Sequence, residues 1–193
     1  MINKIILASN NANKLREFRQ ILEPLGIEVI SQREAGADIE ADECGDTFEE
    51  NAVIKAQAVY DIVDNPVIAD DSGICVDAMG GKPGVHSARF YPKGEECDRL
   101  IDDMKNVPDE NRGAHFACVI ALICNEGIFT VTGRCDGTIG YEKRGTNGFG
   151  YDPIFMQGNR SFAEMSPEEK NKISHRAKAL EELYKLLEER FCD

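Results

Sequence analysis

Apolar positions along the chain fall into runs of two kinds. Residues 2–8 are almost continuously apolar, which predicts a strand covered on both faces. Leu15, Phe18, Leu22 and Leu25 then recur at helical spacing and predict a helix that stops at Pro24-Leu25-Gly26. Ile27-Glu28-Val29-Ile30 predicts a second short strand. Thr47-Phe48-Glu49-Glu50 reads as a capping box, opening a helix whose apolar stripe is Ala52, Ala56, Val59 and Val63. Pro66 leads into Val67-Ile68-Ala69, a short buried strand. Ile74-Cys75-Val76 reads as another, and Cys97, Leu100, Ile101 and Met104 mark a modest helix. The runs 113–124 and 128–135 flank Asn125-Glu126-Gly127 as a hairpin, so the sheet is expected to be mixed. Ser166-Pro167-Glu168-Glu169 signals a further helix start, and Leu180, Leu183, Leu187 and Phe191 line one face of a terminal helix. Neither a repeat nor a linker interrupts this order. The expectation is one α/β domain over residues 1–193.

The polar stretches between these runs carry the candidate chemistry. Val67-Ile68-Ala69 ends in Asp70-Asp71, after which Ser72-Gly73 predicts a turn. Adjacent carboxylates repel, so a strand ending in them calls for a neutralising cation, unless the stretch is simply a solvated turn. Ser9-Asn10-Asn11-Ala12-Asn13-Lys14 joins a strand to a helix N-terminus, a place where backbone N–H groups and Lys14 could hold an anion. Gly80 to Arg89 form a glycine-rich loop that ends in a cation, with His86 read as structural. In Gly145-Thr146-Asn147-Gly148-Phe149-Gly150-Tyr151-Asp152-Pro153, two aromatics flanked by glycines could stack on a planar ring, with Asp152 reading its edge.

Charge narrows the partners. The net charge is −13 and no basic face is visible, which argues against duplex nucleic acid. A small anionic substrate would need a metal ion and a few well-placed Lys or Arg residues to enter such a surface. The seven cysteines are odd in number and include no CxxC pair, which points to free thiols and a reduced, cytoplasmic setting. No apolar run reaches the length of a membrane span, and the start of the chain lacks the features of a signal peptide.

Taken together and in this order, Ser9-Asn10-Asn11-Ala12-Asn13-Lys14, Ala69-Asp70-Asp71-Ser72-Gly73, Pro83-Gly84-Val85-His86-Ser87-Ala88-Arg89, Gly148-Phe149-Gly150-Tyr151-Asp152-Pro153 and Ile173-Ser174-His175-Arg176 resemble the inosine triphosphate pyrophosphatase family. Its bacterial and archaeal members are deoxyinosine/xanthosine triphosphate pyrophosphatases. The resemblance implies a three-layer α/β fold with a long mixed sheet bent into two lobes, a substrate cleft between them, and a homodimer. It implies Mg²⁺-dependent hydrolysis of deaminated purine nucleoside triphosphates to monophosphate and pyrophosphate. Carried over by position, Ser9 to Lys14 are the phosphate cradle, Asp71 the proton acceptor and a metal ligand, and Asp70 its neighbour. Asp42 or Glu43 is the second metal ligand, Ser72 and Arg89 contact the nucleotide, and Phe149, Gly150, Tyr151 and Asp152 hold the base. Lys170, His175 and Arg176 would read its oxygenated edge.

Two departures stand out. Ser9-Asn10 replaces the family's usual Thr-Gly, although Asn tolerates left-handed backbone angles. Asp42 is one methylene shorter than the usual Glu. A related Maf-type pyrophosphatase and a nucleotide-binding regulator without hydrolysis are the alternative readings.

Overall fold

The computed structural model describes residues 2–191. Its principal elements are β1 (Lys4–Leu7), α1 (Ala12–Leu22), β2 (Glu28–Ser31), α2 (Phe48–Tyr60), β3 (Val67–Val76), α3 (Glu96–Asp103), β4 (Gly113–Cys124), β5 (Gly127–Ile139), β6 (Phe155–Gln157), β7 (Arg160–Ser161), α4 (Pro167–Lys170) and α5 (His175–Phe191). The strands form one seven-stranded sheet in the order β2-β1-β3-β4-β5-β6-β7. β1 pairs in parallel with both β2 and β3, whereas β6 is antiparallel to β5 and to β7, so the sheet is mixed as expected.

The chain divides into two compact units. One comprises Met1–Asp71, Cys118–Gly133 and Arg176–Asp193, the other Ser72–Ala117 and Arg134–His175. In the first, strand alternation sends neighbouring residues to opposite faces. Ile5, Leu7, Ile68, Cys118, Ile120 and Leu122 pack with Phe18 and Leu22 of α1 and with Leu180, Leu183 and Leu187 of α5. Ile6, Val67, Ala69, Val119, Ala121 and Ile123 pack instead with Ala52, Ala56 and Val59 of α2. Helices therefore cover both faces, which explains the continuously apolar strands. In the second unit, Ile74, Val76, Ala114, Phe116, Cys135 and Ile139 share a single core cluster with Leu100, Phe155 and Phe162.

Three expectations need correcting. The turn at Ser72-Gly73 does not form, and β3 runs unbroken from Val67 to Val76. Gly73 is not among the glycines with positive φ, Ile74 and Val76 continue the burial pattern, and the Ile74 N–H is satisfied by Ser87 Oγ at 2.9 Å. No described non-glycine residue has a positive φ, so Asn10 does not adopt glycine-like geometry. Leu25 is exposed, because α1 ends at Leu22 and a 3₁₀ turn from Glu23 to Leu25 carries it off the apolar stripe. The cysteines from Cys44 to Cys135 are free thiols, and Cys192 lies outside the described residues. Among the described residues, no helix is long and apolar enough to cross a membrane.

Candidate active site

The alternation of β3 separates the paired acids. Asp70 shares the side of Ile68 and meets α1 and α5, whereas Asp71 shares the side of Val67 and Ala69 and meets α2. The mutual repulsion expected of adjacent carboxylates is relieved because each has its own cations.

Asp70 is completely enclosed. Lys14 Nζ lies 2.9 Å from Oδ1, and Arg176 donates to Oδ2 through Nε at 3.2 Å and Nη2 at 3.0 Å. Burial alone would raise the Asp70 pKa, but the Lys14 and Arg176 charges hold its carboxyl far below the usual carboxylate range. Arg176 also pairs with Glu17, one turn after Lys14 on α1. Burial would lower the Arg176 pKa, yet Asp70 and Glu17 outweigh it and hold the guanidinium charged. This four-residue network joins β3, α1 and the first turn of α5. Arg176 is thus an anchor for Asp70, its guanidinium contacting two carboxylates.

Asp71 is the more exposed acid in charge terms. Lys55 Nζ lies 2.7 Å from its Oδ1, and the same ammonium lies 2.9 Å from Glu43 Oε1. Partial burial pushes the Asp71 pKa up, and the Lys55 charge offsets this only in part. Burial disfavours charge on Lys55, but the Asp71 and Asp70 carboxylates overcome it and raise its pKa. Asp42 is exposed, so of the two acids left open by the sequence it is Glu43 that shares a cation with Asp71. Beside them lies a recess of about 290 Å³ lined by Ser9, Asn10, Gln32, Glu40, Glu43 and Lys55.

Among the described residues no three His, Cys, Asp or Glu side chains are grouped as a complete metal cage. Two carboxylates converging on one cation, with space alongside, are nevertheless the donor set Mg²⁺ takes, since it keeps waters and substrate phosphates as its other ligands. The residues fit that ion.

The first loop is more self-contained than the sequence suggests. Asn11 is the N-cap of α1, and its Oδ1 accepts from the N–H groups of Asn13 at 2.9 Å and Lys14 at 3.3 Å. Asn10 donates to Asp38, and Ser9 Oγ accepts from Asn11 N–H. Ala12 is the first helical residue.

In the second unit, Phe149 is half-buried and the Lys170 ammonium lies 5.0 Å above its ring centre. Asp152 is buried, accepts the Phe149 N–H at 2.8 Å and pairs with Lys170 at 2.8 Å. Asp152 therefore fixes the loop that carries Phe149. Gly148 makes this possible: its φ is +75°, and a Cβ there would stand 2.0 Å from Asp152 Oδ2. Gly148→Ala is accordingly expected to cost about 1–2 kcal/mol or more, read as a lower urea midpoint; an unchanged midpoint would show that the loop yields without cost. Tyr151 is a core residue whose hydroxyl donates to Ser87 O at 3.1 Å, so only one of the two aromatics can offer a stacking face. Gly150 accepts from the Cys97 thiol, His175 is buried and stacked on Phe116 at 4.6 Å, Ser72 is half-buried on β3, and Arg89 is exposed.

Lys55, Glu17 and Asn51 were not singled out by the sequence. Asn51 and Lys55 stand one turn apart on α2, each directly before a residue of the apolar stripe. That position at the border of a buried face was the available signal.

A sequence profile of the Ham1 family matches residues 5–186. The chain is 46% identical over 197 residues to the dITP/XTP pyrophosphatase of Bacillus subtilis strain 168, covering 97% of this chain and 98% of that one. The HAM1 protein structure from Coxiella burnetii matches with a TM-score of 0.87 at 41% identity, over 98% of this chain and 100% of that one. The Ham1 protein structure from Staphylococcus aureus gives 0.85 at 37% identity, over 96% and 98%.

Proposed function

Because the chain belongs to the Ham1 family, we propose that it hydrolyses deaminated purine nucleoside triphosphates, such as ITP, dITP and XTP, to the monophosphate and pyrophosphate with Mg²⁺. Kinship over nearly its full length with proteins named dITP/XTP pyrophosphatase makes it an enzyme of the nucleotide pyrophosphatase class. The observation that carries the mechanistic reading is the convergence of Glu43 and Asp71 on Lys55.

Glu43 and Asp71 are the residues that would hold Mg²⁺, which when bound neutralises phosphate charge and makes nearby water more acidic. Asp71 takes the proton from the attacking water at a carboxylate oxygen. Lys55 supplies positive charge to the developing phosphate oxygens, and Lys14, held by Asp70, supplies more. Phe149 offers its ring to the purine, and the Lys170–Asp152 pair sets the angle of that ring. Donors facing a 6-oxo oxygen are left unpaired against the 6-amino group of adenine, which is the physical basis for rejecting ATP.

The test is a panel of ITP, dITP, XTP, GTP and ATP with Mg²⁺, scored by product. Monophosphate and pyrophosphate should appear, with kcat/KM for ITP at least about 100-fold above that for ATP, and chelation should stop the reaction. Orthophosphate as the product would overturn attack at the α-phosphorus. ITP left intact over hours would favour a nucleotide-binding regulator.

A further inference from the structure

Asn51 is fully buried on α2, one turn before Lys55. Asn is a poor helix former, and a carboxamide removed from water is tolerated only when its bonds are made. Here the bonds have a direction. Asn51 Oδ1 accepts the Gly45 N–H at 2.9 Å and Nδ2 donates to the Gly45 carbonyl at 3.3 Å, so one side chain holds both polar groups of one backbone residue. Nδ2 also reaches Asp71 Oδ2 at 3.5 Å. Gly45 is required for this approach: a Cβ there would lie 2.6 Å from Glu50 Cβ and 2.9 Å from Asn51 Oδ1. Two residues upstream stands Glu43, whose carboxylate meets Asp71 across the Lys55 ammonium.

We propose that Asn51 is the positioning residue of the cation site, tying the Gly45 backbone to Asp71 and so fixing where Glu43 stands relative to Asp71. Residues 42–45 form an irregular acidic segment that contains none of the described helices or strands, so its own secondary structure gives no such register. Without Asn51, the Gly45 amide and carbonyl would lose these partners and the two carboxylates would no longer be held at a common distance. The proposal rests on the assignment of Glu43 and Asp71 to Mg²⁺ made above.

The experiment titrates Mn²⁺, as a calorimetric probe, into the full chain without nucleotide. It compares the unaltered protein with Asn51→Ala, Asn51→Leu and Asp71→Asn, with far-UV circular dichroism as the check on folding. Asn51→Leu keeps the number and branching of side-chain heavy atoms while removing every hydrogen bond, so a result remains if the smaller variant fails to fold. Both Asn51 variants should bind Mn²⁺ about 10–100-fold more weakly. The Mg²⁺ concentration for half-maximal ITP turnover should rise by the same factor, while kcat at saturating Mg²⁺ changes far less. A folded Asn51 variant whose Mn²⁺ affinity stays within about twofold, when Asp71→Asn loses binding, overturns the positioning role alone. Unchanged affinity in Asp71→Asn as well overturns the assignment of the cation site and the proposal with it. A purely structural role would lower thermal stability without moving either metal readout, and that outcome also overturns it.

Discussion

Asp71→Asn is expected to lower kcat by about 10²–10⁴-fold, the range a positioned general base contributes, with the fold intact. The amide keeps the shape and can still accept at one oxygen, but it can neither take a proton nor balance the Lys55 charge. Its side chain reaches α2 and not the main hydrophobic clusters, so little packing is lost. Glu43 remains to pair with Lys55, which limits the stability cost of the change. Pyrophosphate release from ITP with saturating Mg²⁺ is the measurement, together with circular dichroism. Turnover within a few-fold of the unaltered enzyme would remove Asp71 from the chemistry.

The second large effect falls on stability. Arg176 is completely buried between Asp70 and Glu17, and Arg176→Met leaves both carboxylates facing an uncharged side chain. Removing one partner of a buried ion pair costs about 3–5 kcal/mol, and urea unfolding should show a loss of that size. Because the guanidinium is already engaged with two acids, the ratio of ITP to ATP turnover is expected to stay close to that of the unaltered enzyme. The opposite result, unchanged stability with a collapsed ITP preference, would restore Arg176 as a reader of the base. Asp70 adds a pH signature. Its pKa in the fold lies below its unfolded value near 3.9, so its contribution to stability is present above about pH 4 and is lost as pH falls through the folded value. Asp70→Asn should therefore flatten the acid arm of the stability profile.

The sequence was most legible where a signal is local. Thr47 with Glu50, and Ser166 with Glu169, form the capping boxes their spacing predicts, because those bonds span three residues and depend on nothing distant. Continuous apolar runs marked β1 and β4 correctly because both faces of those strands are covered near their apolar residues. Ser72-Gly73 misled because turn chemistry in two residues is a weak preference, and the continuation of β3 within the sheet overrides it. The contact of Arg176 with Asp70 was not legible because the two lie 106 positions apart in the chain, and no spacing rule reaches that far. Lys55 and Asn51 were passed over because a polar residue beside an apolar stripe ordinarily faces water; only the arrival of Asp71 and residues 43–45 on that face gives them work.

The capped start of α1 bears on how much an anion could gain there. Its first amides are already answered by Asn11, so an arriving anion gains only the difference between its own hydrogen bonds and those it displaces. That difference is small for a fragment with no other anchor. Under the proposed reaction, inorganic pyrophosphate is such a fragment, and Asn11 is placed to re-cap the helix once it leaves. On the proposed reaction, the loop would act less as a clamp than as a self-resetting catch for an anion.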